Sequence, residues 1–140
     1  MRRVSIAFIS ALVLALMSMS HVMAQAPGGS ASARGPRNPV AASAQSVTTG
    51  QQMFQKNCRF CHGPQGRGDG PSADALAKKG SPPPNLTDTT WQRGSTDGEI
   101  FAVIRDGAGP KFEMKGYKGR MTDTEMWHVV NYVKSLSAKR

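Results

Sequence analysis

The sequence is short of cysteine and of acidic residues, and both shortages narrow the possible functions. The 140 residues include only two cysteines, so no second pair is available for a disulfide framework or a structural zinc site. Nine acidic residues face 18 basic ones, a balance that favours acidic partners. No nucleic-acid-binding motif is present, and no stretch alternates apolar and polar residues long enough to predict a strand. We therefore expect an all-α protein that does not bind nucleic acid.

The N-terminus predicts an exported protein. Two arginines precede an apolar run over residues 4–17, and small residues suitable for cleavage follow. This arrangement is typical of a secretory signal peptide over residues 1–26, cleaved after Ala24 or Ala26. An uncleaved membrane anchor is the alternative, because the run is nearly long enough to span a membrane, although serines dilute its apolar character. We expect a periplasmic protein without a stable membrane span after cleavage, or a membrane-tethered one if the segment is retained.

Composition divides the rest of the chain in two. Residues 27–46 are small, polar and interrupted by proline and glycine, which predicts a flexible linker. Residues 47–140 then form one domain, whose modest length limits the core that it can bury without help. Removing two arginines with the signal peptide lowers the formal charge from +9 to +7, so the mature chain stays basic.

Capping residues and apolar spacing predict short helices in this domain. Thr48 and Gln51 have the spacing of a capping box at the start of a first helix that ends at Cys58. A second short helix is expected over residues 73–79, before an extended run of prolines that excludes helix.

Two further capping boxes mark the starts of the later helices. Thr96 with Glu99 precedes one apolar helical face, and Thr122 with Glu125 precedes another. On the last helix the apolar side chains share one sector, and His128 falls on the opposite side. We therefore expect His128 to point to water.

The motif that carries chemistry is NCRFCHG, which contains Cys58, Cys61 and His62. A C-x-x-C pair serves a thiol–disulfide couple, half of a zinc site, or covalent attachment of a c-type haem. Zinc would lack ligands, and a thioredoxin-like couple would need its first cysteine at a helix start after a buried strand. Haem attachment uses both thiols and places the adjacent histidine as the proximal iron ligand. The motif therefore predicts one covalently bound haem c.

With this motif in place, the chain resembles the class I cytochrome c family, in particular its small periplasmic single-haem members. The shared patterns are C..CHG..G.GDGP, PPPNL, DGEIF.VIRDG and MTD.E.W.VVNYV.SL, which cover nearly all of residues 47–137. The resemblance implies a cytochrome c fold, with three to five short helices around one haem and the first and last helices crossing. At that crossing it implies contacts of Gly50 and Phe54 with Val129 and Tyr132.

The second axial ligand decides between an electron carrier and a catalyst. Four of the eight methionines lie in the signal peptide, and Met53 and Met126 lie on predicted core faces. Met114 and Met121 remain, in the segment between the last two helices. Met121 directly precedes an N-cap, where a hydrophobic staple is expected. The resemblance favours Met114 as the ligand, with Met121 as the alternative.

Further residues are expected to contact the haem. The resemblance implies that the Pro84 carbonyl accepts a hydrogen bond from His62 and that Leu86 packs on the ring. Charged and aromatic residues elsewhere are candidate partners for the haem propionates. They are Arg67, Arg93, Trp91 and Tyr117.

Together these interpretations predict a monomeric electron-transfer protein, not an enzyme, that carries one electron between Fe(III) and Fe(II) with His62 and Met114 as ligands. The expected partners are acidic redox proteins: a dehydrogenase or quinol-oxidising complex as donor, and a terminal oxidase or reductase as acceptor. Basic residues near the haem-contacting loops would steer these encounters. They are Lys56, Lys78, Lys79, Lys111, Lys115, Lys118 and Arg120.

Two other functions stay open at this point. One is a haem catalyst, or a gas-binding or dehydrogenase-associated subunit, in which the sixth coordination site is open or labile. The other is a thiol–disulfide oxidoreductase, which would carry no haem and would have a titratable thiol pair.

Overall fold

The structure is a computed structural model that describes residues 35–109 and 113–137. Within these residues the chain forms short helices and one small strand pair. The helices are α1 (Ala44–Asn57), α2 (Arg59–His62), α3 (Ala73–Lys78), α4 (Asp97–Asp106) and α5 (Asp123–Ser137). The antiparallel strands are β1 (Gly107–Ala108) and β2 (Met114–Lys115). The predicted helical architecture is confirmed. The strand pair was not predicted, because two residues are too few to show an alternating pattern.

Helix α1 begins earlier than the capping pattern predicted. Its N-cap is Ser43, whose hydroxyl accepts a hydrogen bond from the Ser46 N–H. Thr48, the predicted N-cap, lies inside the helix and donates its hydroxyl to the Ala44 carbonyl. No proline or glycine interrupts residues 44–47, so the helix continues towards the N-terminus as far as Ser43. The backbone of Ser43 is extended, as is usual for an N-cap residue. The regular fold therefore starts before residue 47.

The chain ahead of α1 is bound to α5 through a buried asparagine. Asn131 is 4% exposed, and its Oδ1 accepts a hydrogen bond from Asn38 Nδ2 at 2.8 Å. Its Nδ2 donates to Ser46 Oγ at 2.8 Å and to the Val40 carbonyl at 3.1 Å. The described part of the segment that was predicted to be a flexible linker therefore makes hydrogen bonds with the domain, and residues 44–46 belong to α1.

The first and last helices cross at a glycine. A Cβ atom on Gly50 would overlap the carbonyl oxygen of His128 and would lie 2.9 Å from the Cβ of Tyr132. The rings of Phe54 and Tyr132 meet beside this point, with centroids 5.2 Å apart. His128 does not point freely to water as predicted, because its Nδ1 lies 2.8 Å from Ser46 Oγ. The expected close approach of the two helices is present.

Helix α4 also packs against α5. The Phe101 and Trp127 rings stack with centroids 3.9 Å apart. Lys134 on α5 lies 3.5 Å from the carboxylate of Asp97 and donates to the Ser95 carbonyl. The core lies where α1, α4 and α5 meet.

Both later capping boxes form as predicted. The backbone N–H of Thr96 donates to Glu99 at 2.9 Å, and the Glu99 N–H donates to the threonine hydroxyl. The same reciprocal pair joins Thr122 and Glu125. Local hydrogen bonding thus sets where α4 and α5 begin.

No helix among residues 35–109 and 113–137 has the length and hydropathy of a membrane-crossing segment. The predicted signal peptide and the first part of the predicted linker lie outside the described residues.

Candidate haem-binding site

The C-x-x-C-H motif occupies a single helical turn. Helix α1 ends at Asn57, and the Cys58 N–H still bonds to the Phe54 carbonyl at 2.8 Å. The turn then closes with the His62 N–H donating to the Cys58 carbonyl at 3.0 Å. Residues three and four apart share one side of a helix, and Cys58, Cys61 and His62 all line one cavity.

The loop after the motif folds back and caps this turn. Three of its backbone N–H groups donate to the carbonyls of the last three residues of α2. These bonds join Gly68 to His62 (2.8 Å), Gly70 to Cys61 (3.2 Å) and Ser72 to Phe60 (3.1 Å). A Cβ on Gly70 would lie 2.5 to 2.7 Å from the backbone of α2, so the close return requires glycine. The Ser72 hydroxyl also lies 3.2 Å from Cys61 Sγ. The loop holds both the histidine and the second cysteine in place.

The cavity has a volume of about 390 Å³ and lies between this turn, the proline segment, α4 and the strand pair. This volume is within the range of cofactor and ligand sites. Side chains from six parts of the chain form most of its wall, namely α1, α3, residues 82–91, α4, residues 114–117 and α5. They include Phe54, Leu76, Pro82, Pro83, Pro84, Leu86, Trp91, Ile100, Ile104, Met114, Tyr117, Val129 and Val133. The wall is mainly apolar, with the two thiols and the imidazole as its chemically distinctive groups.

Met114 and Met121 occupy different places relative to this cavity. Met114 lies on β2, paired with Ala108, and its side chain lines the cavity together with His62. Met121 packs against the core just before α5, and it is not among the residues that line the cavity. The strand pair thus brings Met114, rather than Met121, to the histidine and the cysteines.

The imidazole of His62 is buried, with 9% of its surface exposed. Its Nδ1 is shielded from solvent and makes no hydrogen bond of regular geometry. Burial lowers the pKa of His62, and the nearby Pro84 carbonyl raises it in opposition, with burial the larger effect. The lowered pKa favours the neutral form of the ring, which is the form that binds a metal ion. A buried neutral imidazole beside two thiols on an apolar cavity fits a covalently held haem.

Comparison with known proteins places this site in a family. Residues 45–133 match the family model described as cytochrome c oxidase, cbb3-type, subunit III. The chain belongs to this family of class I c-type cytochromes. Membership confirms the resemblance to cytochrome c seen in the sequence, and it implies covalently bound haem c.

Relatives of this cytochrome are mostly longer proteins. It is 33% identical over 95 residues to the cbb3-type cytochrome c oxidase subunit CcoP of Rhodobacter capsulatus, covering 64% of this chain and 29% of that protein. It is 35% identical over 103 residues to CcoP of Rubrivivax gelatinosus, covering 73% and 30%. The cytochrome therefore spans about 30% of the length of these relatives.

A solved structure shares the fold of this cytochrome. A chain of the Kuenenia stuttgartiensis reducing HAO-like protein complex superimposes with a TM-score of 0.61 and 27% sequence identity. The match covers 70% of this chain and 46% of that chain. The crossing helices around one cavity are thus a fold that another protein adopts at low sequence identity.

The predicted haem-contacting residues of the cytochrome divide into two groups. Pro84, Leu86 and Arg93 line the cavity, and so do both aromatic candidates, Trp91 and Tyr117. Leu86 is held there by a hydrogen bond from its N–H to the Gly66 carbonyl at 2.7 Å. Five of the six predicted haem-contacting residues therefore line the cavity that contains the histidine.

Arg67 is the exception among the predicted residues. Its side chain is exposed and lies in a separate surface depression beside Gln51 and Tyr132. The neighbouring Gly68 has a positive φ of 79°, and a Cβ there would meet the Pro83 carbonyl. The backbone of this turn packs against the proline segment, and the Arg67 side chain is exposed at the surface. Arg67 is therefore the one predicted haem-contacting residue that does not line the cavity.

One cavity residue of the cytochrome has a further function that the sequence did not indicate. The hydroxyl of Tyr117 donates to the carbonyl of Asn57 at 2.6 Å, which ties the loop before α5 to the end of α1. The Arg120 guanidinium lies over the Tyr117 ring, 4.3 Å from its centroid. An isolated tyrosine has no local pattern that predicts a partner 60 residues away, so only the fold reveals this contact.

Proposed function

We propose that this cytochrome is a one-electron carrier with a single haem c, held by thioether bonds to Cys58 and Cys61 and by His62 and Met114 as axial ligands. The observation that carries the proposal is that all four side chains line one apolar cavity. A bound haem c supplies one-electron chemistry between Fe(II) and Fe(III).

The chain's own groups support a carrier rather than a catalyst. A neutral imidazole on one side and a thioether on the other would fill both axial positions, which leaves no position for a substrate. A thioether also favours the reduced state more than a second histidine would. The apolar wall around these ligands limits the access of water, which further tunes the potential.

The cysteine count of the sequence supports a single haem. The sequence has one C-x-x-C-H motif and no cysteine outside it. Longer relatives in the family have room for further domains, whereas the match here covers one domain. We therefore assign one haem to this chain.

The proposed partners are redox proteins with acidic docking surfaces, in the periplasm. The named relatives are subunits of cbb3-type oxidases, so a terminal oxidase is our first choice of acceptor. Lys115 and Arg120 line the cavity, and Lys56 and Lys118 are exposed nearby in the chain. Such cations raise association rates with acidic partners and make them depend on salt. Lys111, which was predicted to join them, lies outside the described residues.

The ligand assignment is tested by the near-infrared absorption of the oxidised holoprotein, where a weak band reports a sulfur–iron bond. We expect the band in the parent, its loss in Met114→Ala, and its retention in the matched control Met121→Ala. Loss of the band only in Met121→Ala would move the ligand to that residue. Absence of the band from the parent, with ready binding of carbon monoxide to the ferrous protein, would instead support a haem catalyst with an open or labile site.

A further inference from the structure

Phe60 is an exposed aromatic residue in the middle of the haem-binding motif. Its side chain is 64% exposed, and it is the one large apolar side chain with high exposure among the described residues. It does not line the cavity, since Cys58, Cys61 and His62 occupy that side of the turn. Neither the core nor the cofactor site therefore explains an aromatic side chain at this position.

The backbone that presents Phe60 is firmly held. Its carbonyl oxygen accepts a hydrogen bond from the Ser72 N–H and lies within 3.1 Å of the Ser72 hydroxyl. The next residue is Cys61, one of the two haem-attachment residues. A rigidly presented side chain loses little entropy when it enters an interface. Phe60 is thus preorganised for contact with another molecule, directly beside the site of attachment.

Basic side chains lie close to this position in the chain. Arg59 is exposed next to Phe60, and Lys56 is exposed in the last turn of α1. We call these side chains the Phe60 surface. It consists of Lys56, Arg59 and Phe60.

We propose that the Phe60 surface is the docking site for a redox partner protein that offers an apolar pocket bordered by carboxylates. This inference rests on the proposed carrier function and adds which side chain seats the partner. Aromatic residues and arginine are enriched at interfaces, and a few such anchors carry most of the binding energy. The cations accelerate the encounter, and Phe60 slows dissociation once the partner is seated. Small, weak interfaces are typical of redox encounters, so one anchor suffices.

The test uses the full-length holoprotein and washed membranes of the organism that encodes it. Reduced cytochrome is mixed with the aerated membranes, and its oxidation is followed by haem absorbance over a range of protein concentrations. We expect Phe60→Ser to lower the second-order rate constant about five- to tenfold, as loss of an interface anchor does. Phe60→Leu, which stays apolar, and Gln52→Ser, an exposed change elsewhere on α1, should stay within about twofold of the parent.

Two conditions separate docking from other causes. Oxidation by ferricyanide needs no protein partner, so Phe60→Ser should match the parent there. The defect against membranes should also persist at high salt, because apolar contacts are not screened. Equal losses against membranes and ferricyanide would overturn the proposal, since they would indicate a disturbed haem site.

Three further results would also overturn it. One is a membrane rate constant for Phe60→Ser equal to that of the parent, which would leave the carrier function intact. Another is a parent that ferricyanide oxidises but membranes do not, in which case the proposed function fails as well. The third is a parent that forms dimers in sedimentation while Phe60→Ser is monomeric, which would make a second copy the occupant.

Discussion

Where α1 crosses α5, the two helices pack directly against each other. The residues around the haem cavity, in contrast, leave room for a bound group. At the crossing, Gly50 admits the backbone of α5 and Phe54 packs against Tyr132. Around the cavity, side chains of α1, α4 and α5 share the wall with loops rich in proline and glycine and with a strand pair of two residues each. At the crossing, the packing contacts all come from the protein chain. In the cavity, the haem would supply part of them.

This difference shows which part of the domain depends on haem. Side chains that face a cavity make dispersion contacts on that side with an apolar group bound there. A domain of this length also buries a limited core, so a covalently held cofactor adds a large share. We call the crossing of α1 and α5 the frame, whose stability we expect to depend little on haem. We call the loops and the strand pair around the cavity the wall, whose stability we expect to depend strongly on haem.

The largest expected effect comes from removing haem attachment with Cys58→Ser and Cys61→Ser together. The double variant should carry no covalent haem in denaturing electrophoresis. Amide hydrogen exchange should then accelerate most in residues 81–94 and 113–121, while the α1 and α5 backbones stay protected, because local opening follows local contact density. Equal loss of protection in the crossing helices would contradict the division into frame and wall.

A smaller effect is expected from Gly50→Ala, which tests the frame itself. The added methyl group would overlap the His128 carbonyl and force the helices apart. We expect the free energy of unfolding of the holoprotein to fall by about 2–3 kcal/mol, the usual range for overpacking. Denaturant titration measures this loss, and Gln52→Ala on the exposed side of α1 should change stability by less than about 0.5 kcal/mol. A neutral result for Gly50→Ala would show that the crossing is looser than the described contacts.

The smallest effect concerns the start of α5. Hydrogen bonds from the backbone and hydroxyl of Thr122 hold the pKa of Glu125 below its ordinary value. A carboxylate with a lowered pKa stabilises the fold above its unfolded pKa, and this stabilisation is lost as the pH falls through the folded value. The melting temperature of the parent should therefore drop more steeply than that of Glu125→Gln between about pH 5 and pH 3.

Asp74→Asn, in the first turn of the short helix α3, serves as the control for this experiment and should follow the parent. Haem absorbance should be the same in parent and Glu125→Gln across that pH range, because the Glu125 carboxylate bonds to Thr122 at the start of α5 and does not line the haem cavity. A pH-dependent change in the haem spectrum that disappears in Glu125→Gln would contradict this separation.

Local patterns predicted the elements whose cause is local. The capping boxes at Thr96 and Thr122 formed as expected, because both partners lie within four residues. The short helix after Ser72 also formed, ending at Lys78 instead of residue 79. The C-x-x-C-H motif identified the cytochrome family because its chemistry is contained within five residues.

The misplaced elements have causes that lie far away in the sequence. Thr48 satisfied a capping pattern, but the preceding residues continue the helix and pack on α5 through Ser46 and Asn131. Arg67 lies near the motif in sequence, yet the close approach of Gly68 to the proline segment turns it away from the cavity. Neither outcome follows from a local pattern.

The sequence by itself determined that this is a mainly helical cytochrome c domain. It predicted Cys58, Cys61 and His62 as the chemical centre, because spacing along one helical turn encodes that arrangement, and the resemblance favoured Met114 over Met121 as the second ligand. Only the tertiary structure shows where the two methionines lie, since the pairing of β2 with β1 carries Met114 to the cavity wall while Met121 packs at the start of α5. Distances between remote segments depend on how the helices pack, and that packing is a property of the whole fold.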